Sequence, residues 1–234
     1  MALQAHVTPV NQISEVQILT MLRIMQTYYL NVDAVQFRTD LKEKDLVILL
    51  HEEGAIRGFS TWLLTEHEMP EQKVNIIFSG DTIIEKAHWH SLALPIAWGR
   101  LMLSALARYP DRELYWVLTS KGHKTYRFLP VFFREFYPAF MKNTPVFEEA
   151  LLHSFASHRF GNRFNPATGT LTASDKAQKL IPGVADITEA RRKDKHVAFF
   201  ERMNPGCTQG DELVCLARCH PDNISPFIKR YLKT

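Results

Sequence analysis

The stretch Asn75–Tyr137 constrains the fold of this chain more than any other part of it. It opens with NIIFSGDTII, an alternating and then apolar run with the pattern of a strand. It turns through EKAHWHS and runs into LALPIAWGRLMLSALAR, an apolar helix. A second strand follows, ELYWVLTS, then a basic turn, KGHKTYR, then a phenylalanine-rich segment, LPVFFREFY. Strand, turn, helix, strand, turn, helix is a βαβα unit with short turns at the strand C-termini. Anionic ligands sit where such a strand ends and its helix begins.

Within this unit, Val74, Ile76 and Phe78 point one way, and Asn75, Ile77, Ser79 and Asp81 the other. Gly80 marks a bulge or a close approach by another group. Leu94, Ala97, Leu101 and Ala105 form the apolar stripe of a helix over Leu92–Arg108, with Pro95 in its first turn, where a missing N–H costs little. Glu113–Thr119 is nearly all apolar, as a strand buried on both faces requires. Leu129, Phe132, Phe133 and Phe136 keep helical spacing, which predicts a helix from Pro130 to Pro138.

Before the unit, residues 1–12 read as a lead-in, Ile13–Leu30 as a helix capped by Ser14, and Asp33–Leu41 as a second helix. Leu46–His51 and Gly58–Thr65 read as a hairpin turning at Gly54. After it, Val146–His158 is helical in pattern, and Gly161–Gly183 is rich in turn residues. Ile187–Arg202 reads as one or two helices, Glu212–Arg218 as strand or helix, and Ile224–Leu232 as a short helix.

Composition excludes more than it selects. In 234 residues, 46% hydrophobic side chains supply an ample core, and a net charge of +3 is too mild to point to nucleic acid. No apolar run approaches the ~20 residues of a membrane span. Three late cysteines, Cys207, Cys215 and Cys219, with no export signal ahead of them, read as reduced thiols of a cytoplasmic protein. His88 and His90 flank Trp89 but lack a third ligand at metal spacing, so no metal is expected.

Two helices, a hairpin, a third strand ending at a turn, a central helix, a buried strand and a further helix resemble the GNAT acyltransferase superfamily. The resemblance covers roughly residues 13–140 and is one of architecture more than of motif. It implies an α+β fold, with a mixed β-sheet flanked by helices over residues 1–140. Residues 141–234 are then a C-terminal extension packed on that core. In the superfamily, backbone N–H groups of the turn before the central helix hold the diphosphate of coenzyme A. The turn normally carries Arg or Gln, two residues, Gly, one residue, then Gly or Ala. Here Trp89, His90, Ser91, Leu92, Ala93 and Leu94 occupy it, with no glycine. The resemblance therefore implies an acyl-CoA donor or an acyl-phosphopantetheine on an acyl carrier protein. Lys121 and Lys124 of the basic turn suit its phosphate or an acidic carrier surface, and equally a solvated loop.

The resemblance also implies a general acid in the helix after the buried strand. The position counted for it is Phe132, and Tyr126 lies a turn or two earlier, as site tyrosine or packed aromatic. Asp81, Glu85 and Ser79 are the polar groups at the end of the third strand, where a carboxylate would take the proton of an amine acceptor directly or through water, with turn capping as the other reading of Asp81. Direct transfer from a thioester donor to an amine is the implied reaction. A non-catalytic GNAT-like module that binds a ligand or protein is the alternative.

Overall fold

The computed structural model describes residues 3–232, so residues 1, 2, 233 and 234, the outer ends of the two predicted segments, lie outside the description. The chain begins with β1 (Gln4–Pro9), α1 (Glu15–Tyr28), β2 (Tyr29–Leu30), α2 (Ala34–Lys42), β3 (Leu46–Glu52) and β4 (Ala55–Glu68). Next come β5 (Lys73–Ser79), β6 (Thr82–Ile84), α3 (Ala93–Arg108), β7 (Leu114–Ser120), α4 (His123–Tyr126) and α5 (Phe128–Phe132). The last part holds α6 (Val146–Phe160), β8 (Phe164–Asn165), β9 (Thr170–Leu171) and β10 (Lys179–Leu180). It closes with α7 (Glu189–Arg192), α8 (Lys195–Met203), β11 (Glu212–Arg218) and α9 (Pro226–Leu232).

One mixed sheet runs β1-β3-β4-β5-β7-β11-β9-β8, with β6 paired to β4. Among the described residues only β5 and β7 pair in parallel, Asn75–Ser79 against Leu114–Leu118, because the crossover helix α3 lies between them in sequence. β7 faces two cores. Leu114, Trp116 and Leu118 join the one beneath α3, and Tyr115 and Val117 join the one beneath α6. A third core seats α1 and α2 on Val47, Leu49 and Phe59. This is the α+β architecture that the resemblance implies, a mixed sheet flanked by helices.

Local chemistry starts and stops the elements. Ser14 Oγ accepts the Gln17 N–H while the Gln17 side chain accepts the Ser14 N–H, a capping box at the head of α1. Asp33 caps α2 through the Gln36 N–H at 2.7 Å. Glu53 and Gly54, both at positive φ, form the two-residue loop between β3 and β4. At Gly58 an added Cβ would lie 2.6 Å from the Ile83 carbonyl oxygen, so β4 and β6 can approach only over glycine. Gly58→Ala should therefore cost about 1–3 kcal/mol of stability. A denaturation midpoint unchanged from the parent would show that β6 yields freely.

Two expectations change, and one open reading closes. Residues 4–9 are a strand that pairs with β3 and not a loose lead-in. The phenylalanine-rich helix stops at Phe132, and Phe133 is already extended. Pro130 removes one amide donor from it. The backbone beyond Phe132 then finds partners in the C-terminal segment, with Tyr137 N–H donating to the Leu216 carbonyl at 2.7 Å and Arg134 N–H to the Asn223 carbonyl at 2.9 Å. Glu212–Arg218 is a strand, β11, set antiparallel beside β7. The last third of the chain thus completes the same sheet.

Candidate functional site

The site begins where two strands part. Between the pairs Ser60–Thr82 and Leu63–Phe78, β4 has two residues while the opposing chain has Ser79, Gly80 and Asp81. That extra residue is a β-bulge, fixed by the Thr61 N–H donating to the Asp81 carbonyl at 3.0 Å. Beyond it β6 follows β4 alone, and the pairing of β5 with β7 has ended at Ser79 and Leu118. A gap opens between β6 and the chain leaving β7. The short pair β2–β10 crosses this gap, with Tyr29 opposite Leu180. Two cavities meet there, and Tyr29, Thr82 and Thr125 line both.

The first cavity, about 520 Å³, lies between β6, the turn into α3, α4 and the segment after β10. Its walls are mostly apolar, and among the described residues no Asp or Glu lines it, whereas Lys124, Arg127 and Arg191 do. The Lys124 ammonium stands 3.0 Å from the centre of the Trp89 ring and donates to the Val184 carbonyl. Burial first, then repulsion from Arg191 and Lys86, brings its pKa down to about 8. His123, in the same wall, is 1% exposed, and neither ring nitrogen has a hydrogen-bond partner among the described residues. Burial, then Arg191 and Lys124, lowers its pKa to about 4, so the ring is neutral at pH 7.

The second cavity, about 940 Å³, opens on the face of the sheet that carries α2 and α6. Its lining mixes both signs. Glu212 accepts from Thr119 Oγ1 at 2.6 Å and pairs with Lys121 at 3.0 Å and Arg163 at 3.2 Å. Burial pushes its carboxyl up, but these three partners outweigh that and hold it below the usual range. Asp81 is different. Its carboxylate has no hydrogen bond or ion pair among the described residues, and burial pushes its pKa up against the pull of Lys121 and Lys44. Tyr29 stays a protonated hydroxyl, because burial and then the charges of Asp81 and Glu212 raise its pKa.

The predicted residues divide between these places. Asp81 lines the second cavity. Trp89, His90, Ser91, Leu92 and Lys124 line the first. Ala93 faces a separate groove against β1, and Leu94 is buried in the core, so the turn is shorter than six residues. Lys121 is on the other side, paired with Glu212, and not beside Lys124. Ser79 is a buried acceptor for the indole N–H groups of Trp98 and Trp116. Tyr126 lines neither cavity. It is 0% exposed, donates its hydroxyl to the Pro138 carbonyl at 2.8 Å and packs on Phe136, Phe199 and Phe200. Tyr29, Lys44, Thr82, Arg159 and Glu212 also line these cavities, and they carry no local sequence pattern because only tertiary packing brings them there.

Among the described residues no group of three or more His, Cys, Asp or Glu side chains is placed to hold a metal ion. No helix there is long and apolar enough to cross a membrane.

No protein-family model matches this chain, and no curated protein matches it. Solved structures share part of its architecture. A conserved protein of unknown function from Enterococcus faecalis V583, described as a probable N-acyltransferase, is 11% identical with a TM-score of 0.40. That match covers 53% of this chain and 31% of the Enterococcus protein, so the chain spans under a third of its length. An aminoglycoside acetyltransferase from an uncultured soil metagenomic sample is 17% identical, with a TM-score of 0.38, over 62% of this chain and 99% of that one. The GNAT family N-acetyltransferase YhbS from Escherichia coli, solved in complex with CoA, is 12% identical, with a TM-score of 0.37, over 55% and 69%.

Proposed function

We propose that this chain is an acyltransferase that moves an acyl group from a phosphate-bearing thioester donor to an amine. One observation carries the reading: two cavities of opposite character meet at the bulge. The acid-free first cavity, apolar with a cationic rim, suits a chain that ends in phosphate, whether acyl-CoA or the acyl-phosphopantetheine of a carrier protein. The second cavity holds the free carboxylate that an amine needs.

In this reading the amine attacks the thioester carbonyl in the gap, where Thr82 and Thr125 face both cavities. The nitrogen gains a bond to carbon, and the carbonyl electron pair moves to oxygen. Backbone N–H groups of the bulge support that oxyanion. Asp81 takes the proton from nitrogen, helped by an affinity that burial has raised. Collapse expels the thiolate, and Tyr29, protonated and shared by both cavities, returns a proton to sulfur. Tyr29 thereby takes the part expected of Tyr126. No covalent enzyme intermediate is required.

A binding module without turnover is the second reading, and the turn favours it in one respect. Ser91 Oγ occupies the Ala93 N–H at 3.2 Å and Pro95 has none, so the head of α3 offers a phosphate fewer free amides than its position suggests. Side-chain cations then carry more of the binding. Ser91→Glu sets a negative charge beside Lys124 and should weaken donor binding about tenfold or more. Calorimetric titration with CoA, short and long acyl-CoAs and an acylated carrier protein tests this. Equal affinity in parent and variant places the donor elsewhere. Tight binding without transfer to any amine selects the module.

A further inference from the structure

The corner of the second cavity around Gly80 holds donors that lack acceptors. Lys44 is 8% exposed, and its ammonium meets only the Asp40 carbonyl, at 2.8 Å, with no carboxylate within ion-pair distance among the described residues. Thr61 is 3% exposed, and its hydroxyl has no partner among the described residues. Arg159 pairs one nitrogen with Glu43 at 3.0 Å, but its buried Nε has none. These groups share one hollow. Lys44 and Arg159 both stand over the Phe78 ring, at 5.8 and 4.6 Å from its centre. The Lys44 stem and Thr61 Oγ1 close on Gly80, where an added Cβ would lie 3.0 and 2.8 Å from them. Buried donors of this kind are costly unless an acceptor arrives.

The next residue along the bulge is Asp81, an acceptor that lacks a cation within pairing distance. A hole shaped for an anion therefore adjoins a hole shaped for a cation. We infer that the acceptor is a free α-amino acid, its carboxylate held by Lys44, Thr61 and Arg159 and its amine by Asp81. This rests on the acyl-transfer reading and narrows it. A polyamine would leave the three donors unanswered, and a plain carboxylate would leave Asp81 so. The remainder of the cavity, with Lys121 and Arg163 already matched to Glu212, takes the side chain.

The test titrates the full chain with glycine, L-serine, L-glutamate and L-phenylalanine, each beside its α-amide and its des-amino acid, and with spermidine. At least one free amino acid should bind, with both truncated forms weaker by about tenfold or more. Lys44→Met keeps the stem and removes the charge. It should weaken the free amino acid and leave the α-amide unaffected, with folding checked by circular dichroism. Arg159→Gln, at the half-buried end of α6, should act the same way if Lys44→Met fails to fold. α-Amides that bind as well as the free acids, or spermidine alone binding, overturn the inference. Donor binding is measured separately. A bound donor and transfer to an α-amide keep the acyltransferase and remove the amino acid. Loss of binding on both sides removes both.

Discussion

Replacing Asp81 with Asn will remove most of the transfer rate and make the protein more stable at neutral pH. The two effects share one cause. Asp81 lies at the bulge without an ion pair, and burial pushes its pKa above the usual carboxylate range. A base of raised affinity takes the amine proton more readily, and losing a positioned base costs about 10²–10⁴ in rate. In the parent, the rate should rise with pH through a limb displaced above the ordinary value of about 3.9. In Asp81→Asn that limb should vanish. Stability runs the other way. A carboxyl whose folded pKa is raised contributes stability that is fully present below its unfolded pKa and is lost as pH rises through the folded value. Asn has no proton to lose, so its gain in melting temperature should be absent near pH 3 and grow toward pH 7. An unchanged rate across pH 6–9 would remove Asp81 from the chemistry. A lower melting temperature for the variant at pH 7 would mean that its charge has a partner.

The parts of this site that could be read in the sequence are those made by local pattern. The alternation of Val74–Ile84, the apolar run of β7 and the stripe of α3 give the strand–helix–strand unit, and Gly80 inside a strand marks the bulge. The failures have a common physical origin. Phe133 and Phe136 continue the helical spacing of Leu129 and Phe132 yet lie outside the helix, because backbone partners from Leu216 and Asn223 compete with the i−4 bonds that Pro130 has already weakened. Lys121 and Lys124 look like one basic patch. They part because Lys121 still belongs to the sheet face that carries Glu212, while Lys124 is in α4 and turns onto Trp89. Tyr29 and Lys44 have no signal at all. One is fixed opposite Leu180, and the other is drawn over Gly80 by α2 and Phe78. The confinement of carboxylates to the second cavity emerges only when the sheet is folded.

Ser79→Ala should cost more stability than removal of the Tyr126 hydroxyl. Its hydroxyl accepts from Trp98 Nε1 at 3.2 Å and from Trp116 Nε1 at 3.0 Å, and both indoles are almost fully buried. The rings lie 4.3 Å apart between centres and come from α3 and β7, so one oxygen ties the crossover helix to the strand that follows it. Removing it leaves two buried donors unpaired, at about 1–3 kcal/mol each, or ~2–6 kcal/mol together. Tyr126→Phe breaks a single bond, to the Pro138 carbonyl, and should cost about 1–2 kcal/mol. Urea denaturation measures both. The midpoint should fall in each variant with the slope unchanged, and further in Ser79→Ala. A loss below about 1 kcal/mol in Ser79→Ala would mean the indoles find other acceptors. A rate per folded molecule that falls about tenfold while stability holds would instead return Ser79 to the chemistry as a group that acts on the proton.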